Sequence, residues 1–114
     1  MPELAAALNG YSALHGDCVN PLSSKHSTGG SSSGTAVAIA AGFVTCGLGT
    51  DTGGSTRLPA EHCGISGFRP SLGRYPGDGI IPLDLSMDTA GPMGVTVKDC
   101  ALLDSALVGE NKLY

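Results

Sequence analysis

Residues 29–55, GGSSSGTAVAIAAGFVTCGLGTDTGGS, decide how this chain is read. They hold two loops rich in glycine and serine or threonine, Gly29-Gly30-Ser31-Ser32-Ser33-Gly34 and Gly49-Thr50-Asp51-Thr52-Gly53-Gly54-Ser55. Apolar residues fill nearly every position from Ser33 to Phe43, which predicts a helix buried on all sides, with Gly42 at its C-terminal cap. Val44 to Gly49 reads as a short buried strand, and Thr50 to Ser55 as a loop. The first loop lies at a helix N-terminus, where orphan N–H groups and the macrodipole favour negative charge. The second follows a strand, and Gly53-Gly54 let the backbone come close to a ligand. Helix plus strand return the chain to one edge of the layer, so Ser31 and Ser55 are expected to face each other.

Outward from this stretch, Met1 to Leu8 predicts a short helix, stopped by Asn9-Gly10. Tyr11 to Thr28 reads as irregular, with a turn at Asn20-Pro21. Thr56 to His62 predicts a helical turn, and Gly64 to Phe68 a strand. Arg69 to Leu85 is loop-rich, with prolines at 70, 76 and 82. Val97 to Val108 predicts an amphipathic helix with Leu102, Leu103 and Leu107 on one stripe. The expected class is α/β, a layer of helices on a partly buried sheet.

Composition narrows the function. Glycine supplies 18 of 114 residues, against roughly 7% in average proteins, which points to many special backbone positions around a small core. The glycines have no three-residue period, so the chain is not collagen-like. A formal net charge of −4 and six scattered Lys and Arg leave no basic patch for nucleic acid. Cys18, Cys46, Cys63 and Cys100 form no C-x-x-C pair, so neither a zinc site nor a thioredoxin-type site is expected. No basic region followed by an apolar one opens the chain, so no signal peptide is expected, and the cysteines read as free thiols in a reducing cytoplasm. The longest apolar run, about Thr35 to Leu48, is too short to span a bilayer.

Several motifs can be tested. Gly47, Gly49 and Gly53 miss the G-x-G-x-x-G spacing of dinucleotide binding, and no G-K-[ST] marks a P-loop. Gly30 to Gly34 fits G-x-S-x-G with Ser32 as nucleophile, but the strand that must precede such an elbow is missing from Ser24 to Thr28. Ser31 and Ser55 could also be plain loop serines. Asp51 reads as structural, an acceptor for loop N–H groups, and Arg57 as the partner of Asp51 or of a nearby carboxylate, with substrate contact as the alternative. His15, His26 and His62 read as polar loop residues, and the cysteines as small buried hydrophobes.

The two loops together resemble the signature of the amidase signature family. Gly29 to Gly34 is similar to its G-G-S-S-G-G core, and Gly47 to Pro59 (GLGTDTGGSTRLP) to its second half, in the right order and at the right spacing. The resemblance continues through Cys63 to Pro70, Gly73-Arg74 and Asp88-Thr89-Ala90-Gly91-Pro92. The stretch from Gly67 to Pro82 is most similar to the branch of indoleacetamide and mandelamide hydrolases. The resemblance implies part of a mixed β-sheet covered by helices, and hydrolysis of a carboxamide to an acid and ammonia through an acyl-serine, with an aryl-acetamide as one substrate class. It implies a Ser–cis-Ser–Lys triad, with Ser55 as nucleophile, Ser31 as the cis-serine that relays a proton and Ser32 in support. The N–H groups of Thr52, Gly53, Gly54 and Ser55 correspond to its oxyanion hole. A serine hydroxyl is a weak nucleophile until a base takes its proton, and a buried neutral lysine can be that base. The chemistry needs no metal and no organic cofactor. A small amide is the expected partner, without nucleic acid or membrane, and homo-oligomerisation is left open.

Two family positions differ, with Ser33 in place of a glycine and Thr56 in place of an aliphatic residue. More consequential is the lysine, which the family carries in a K-D segment well upstream of the first loop. Lys25 lies too close to the serines to match it, and Lys98-Asp99 lies downstream. Residues 1–114 are therefore expected to be a partial amidase domain, a fragment with little activity of its own because the lysine is missing. Two other readings stay open: a non-catalytic scaffold or receptor module of the same family, and the glutamine-hydrolysing subunit of a tRNA-dependent amidotransferase.

Overall fold

The computed structural model describes residues 1–108. A single 3-10 turn, Glu3–Ala5, opens the chain where a helix over Met1 to Leu8 was expected. Leu4 and Ala5 adopt left-handed backbone angles there, φ 57° and 52°. The Glu3 carboxylate accepts the Ser12 hydroxyl at 2.7 Å and the Leu14 N–H at 3.1 Å, so it ties this turn to residues 12–14 instead of starting a helix. Those residues belong to a small hairpin, β1 (Tyr11–Ser12) paired with β2 (Gly16–Asp17), inside a stretch expected to be irregular.

Helix α1 spans Ser33–Ala40 and ends where the cap was expected, with Gly42 at φ 75°. It is not buried on all sides. Ser33, Ala36 and Ile39 face inward and the positions between them are half-buried, because one side alone meets the sheet. Strand β3 runs Cys46–Asp51, later than the expected Val44 to Gly49, so that Thr50 and Asp51 belong to the strand and not to the loop. The shift follows its partner: β5 (Thr89–Gly94) pairs antiparallel with all six residues, from Cys46 opposite Gly94 to Asp51 opposite Thr89.

Helix α2 (Arg57–His62) lies where the helical turn was expected. Its Pro59 sits in the first turn, where a missing N–H costs no intrahelical bond. Strand β4 is limited to Ser66–Gly67 and flanks β5 on the other side, giving the order β3-β5-β4, antiparallel throughout. Residues 69–88 form no helix or strand. Helix α3 (Val97–Val108) has the expected bounds, but its inward side is Cys100, Leu103 and Leu107, and Leu102 is exposed.

The core is small. Ala36 and Ile39 of α1, Ala60 and Cys63 at α2 and Met93 of β5 form one cluster, with Val37, Ala40 and Ile65 at its margin. The architecture is mixed α/β, with helices packed on a three-stranded sheet. No helix of the described residues is long and apolar enough to cross a membrane.

Candidate active site

The two loops meet at the β3 edge. Ser31 follows a cis peptide bond, Gly30–Ser31, just ahead of α1. Ser55 lies between β3 and α2. The Ser32 N–H donates to the Ser55 carbonyl at 3.1 Å. The Ser32 hydroxyl accepts the Thr50 N–H at 3.2 Å and donates to the Thr50 carbonyl at 3.4 Å, so one side chain joins the first loop to the strand that carries the second. This approach requires glycine at 49, where a Cβ would lie 2.6 Å from the Ser32 hydroxyl.

Ser31 and Ser55 line one cleft of about 780 Å³, together with Thr50 and Thr52. The Ser31 hydroxyl is buried and has no hydrogen-bond partner among the described residues. The N–H groups of Thr52, Gly53 and Ser55 likewise donate to no acceptor there, whereas the Gly54 N–H is committed to Asp51 at 2.8 Å. Leu72, Ile80, Ile81, Leu83 and Leu85 give the cleft an apolar wall. Neither Lys25 nor Lys98 lines the cleft, nor does any of the three histidines. His62 instead places Nδ1 3.2 Å from the Ser27 carbonyl. The four cysteines are free thiols, and no group of three His, Cys, Asp or Glu among the described residues converges as a metal site needs.

Asp51 organises the loop that carries Ser55. Its carboxylate is shielded from solvent and accepts the N–H groups of Gly54 at 2.8 Å and Thr56 at 3.2 Å. Arg57 holds both oxygens at 3.1 Å, one of the pairings open to it from the sequence. Burial pushes the Asp51 carboxyl up, but Arg57 and the two N–H groups outweigh it and hold the group at about 2.

Three further anchors were not read from the sequence. Arg69 bonds the Asp51 carbonyl, the Asp51 carboxylate at 3.0 Å and the Met87 carbonyl at 2.7 Å. Asp88 accepts the Thr52 hydroxyl on one oxygen and the N–H groups of Leu83 and Asp84, at 2.6 and 2.8 Å, on the other. Asp104 of α3 takes Arg74 in a two-pronged pair, 2.7 Å on each side, and the Tyr75 hydroxyl at 2.6 Å, which docks the irregular segment on α3. Burial, then the hydrogen bond to Asp104 and its charge, push the Tyr75 hydroxyl pKa up, so it stays protonated as the donor. Both Arg69 and Asp88 lie in stretches that carry the family resemblance, and this was the available signal.

The amidase family matches residues 1–113. An indoleacetamide hydrolase of Allorhizobium ampelinum is 46% identical over 104 residues, covering 91% of this chain and 22% of that protein. A glutamyl-tRNA(Gln) amidotransferase subunit of Clostridium botulinum is 48% identical over 93 residues, 82% of this chain and 19% of the relative. Among solved structures, the native peptide amidase from Stenotrophomonas maltophilia superimposes with a TM-score of 0.88 at 40% identity, over 98% of this chain and 24% of that one. A crystal structure of an amidase reaches a TM-score of 0.92 at 44% identity, over 96% of this chain and 25% of that one. The chain thus spans about a fifth to a quarter of the length of the relatives it matches.

Proposed function

The chain belongs to the amidase family, and from that premise we propose that the complete protein hydrolyses a carboxamide to a carboxylic acid and ammonia through an acyl-Ser55 intermediate. The observation that carries this reading is the placement of Ser31 and Ser55 on one cleft, beside N–H groups of Thr52, Gly53 and Ser55 that have no other acceptor among the described residues. Ser55 attacks the amide carbonyl and the C–N bond breaks to leave acyl-Ser55; water then attacks the acyl carbonyl, releases the acid and returns a proton to Ser55. Ser31, whose buried hydroxyl can both donate and accept, passes the Ser55 proton towards the base and then to the departing ammonia. The oxyanion is held by Thr52, Gly53 and Ser55, donors typically worth about 3 to 4 kcal/mol each in the barrier. The Gly54 N–H instead fixes the loop through Asp51. Ser32 supports the arrangement by joining the loops. The base in this reading is a lysine from a segment outside residues 1–114, which form part of the amidase domain.

The apolar wall favours an acyl group such as an aryl-acetyl. The identity to a glutamyl-tRNA(Gln) amidotransferase subunit favours glutamine as the competing substrate. The four free thiols suit a cytoplasmic protein. Turnover of phenylacetamide and of glutamine by the complete protein tests the reading and separates the two substrates. Ser55→Ala is expected to abolish ammonia release, and a variant that keeps wild-type turnover would overturn the assignment.

A further inference from the structure

We propose that Asp88, with Arg69 beside it, is a positioning residue that fixes the apolar wall of the cleft to the Ser55 loop and so determines which acyl groups fit; this rests on the amidase reading above. Residues 80–88 form no helix or strand, so individual hydrogen bonds decide where the wall stands. On one oxygen, Asp88 accepts the N–H groups of Leu83 and Asp84. Its own N–H and that of Met87 donate to the Asp84 carbonyl at 2.8 and 3.0 Å, which closes the turn. On the other oxygen it accepts the Thr52 hydroxyl, three residues before Ser55. One carboxylate therefore holds the wall on one side and the nucleophile loop on the other.

Arg69 repeats the link in parallel, from the Asp51 carboxylate to the Met87 carbonyl. Asp88 itself lines the cleft, and with both oxygens engaged by Thr52, Leu83 and Asp84 its proposed action is through these neighbours. The side chains of the turn it closes are apolar: Leu83 and Leu85 are exposed and line the cleft, next to Ile81. An apolar pocket discriminates by fit, and one methylene of misfit is worth about ten- to two-hundredfold.

The test uses the complete protein and two substrates, phenylacetamide and acetamide, with the rate of Ser55 labelling by a small alkyl fluorophosphonate as a control. The wild type is expected to prefer phenylacetamide. Asp88→Ala is expected to lower that preference by about tenfold, through KM for the aryl substrate, with labelling unchanged. Asp88→Asn is expected to restore most of it, because the amide oxygen still accepts from Leu83 and Asp84 and the amide N–H₂ can donate to the Thr52 hydroxyl. Arg69→Gln is expected to give a smaller loss of the same kind. The proposal is overturned if the wild type has no aryl preference, or if Asp88→Ala keeps it. It is overturned equally if both turnovers and labelling fall together, or if Asp88→Ala does not fold and Asp88→Asn does not restore selectivity. A wild type whose Ser55 does not label at all contradicts the catalytic reading itself.

Discussion

Asp51 sets the stability of the loop that carries Ser55, and the pH dependence has a definite sign. Its carboxyl is held at about 2 in the folded protein, against an ordinary 3.8. A group lowered by folding stabilises in full above its unfolded value and loses that contribution as pH falls towards its folded value. Thermal unfolding from pH 7 to pH 2 is therefore expected to show a drop between about pH 4 and pH 2 that is smaller in Asp51→Asn. Asp51→Ala leaves the buried N–H groups of Gly54 and Thr56 without acceptors, a loss of about 2 to 4 kcal/mol, measurable by denaturant unfolding. Ser31→Ala is expected to lower turnover roughly a hundredfold or more with unfolding unchanged, as removal of a proton relay does. The roles of Asp51 and Arg57 were legible because the partners lie within six residues of each other in sequence. Asp88 and Arg69 were not, because their partners are brought near only when β3 and β5 pair.

Thr56 illustrates how the elements pack. It is buried between β3 and β5 and α2, and its hydroxyl has no partner among the described residues. A Cβ on Gly49 would lie 3.0 Å from that hydroxyl, so the small residue of the strand makes room for it. An unpartnered buried hydroxyl costs free energy that a methyl of similar size does not. Thr56→Val is expected to leave stability unchanged or raise it by about 1 kcal/mol, read from the denaturant midpoint. Gly49→Ala, which forces a Cβ against Ser32, is expected to cost about 1 to 3 kcal/mol in the same measurement. The positions of α1 and α3 were legible from their apolar runs and α2 as a helical turn, but the inward faces of α1 and α3 were not, because those depend on the sheet they pack on. Strand β5 was not: Gly91, Pro92 and Gly94 erase the local strand signal. Pro92 nevertheless fits the central strand, because its missing N–H faces the side where β4 has already ended at Gly67, while its carbonyl still accepts the Phe68 N–H at 2.9 Å.

Across the whole molecule, a small core of alanine, Ile39, Cys63 and Met93 supports a cleft whose two serines come from opposite ends of the signature stretch. The mixed α/β class and the meeting of the two loops were legible, because one helix and one strand between them leave few ways to connect. The orientation of the apolar wall was not, since it depends on long-range bonds that tie an irregular segment to Asp51, Thr52 and Asp104. The central claim is that Ser55 is the acyl-forming nucleophile of this cleft. Peptide mapping by mass spectrometry, after treatment of the complete protein with a fluorophosphonate, tests it most directly. The expected result is a single adduct on the peptide carrying Ser55, lost in Ser55→Ala. An adduct on Ser31 or Ser32 with Ser55 unmodified, or none on a protein that hydrolyses amides, would contradict it.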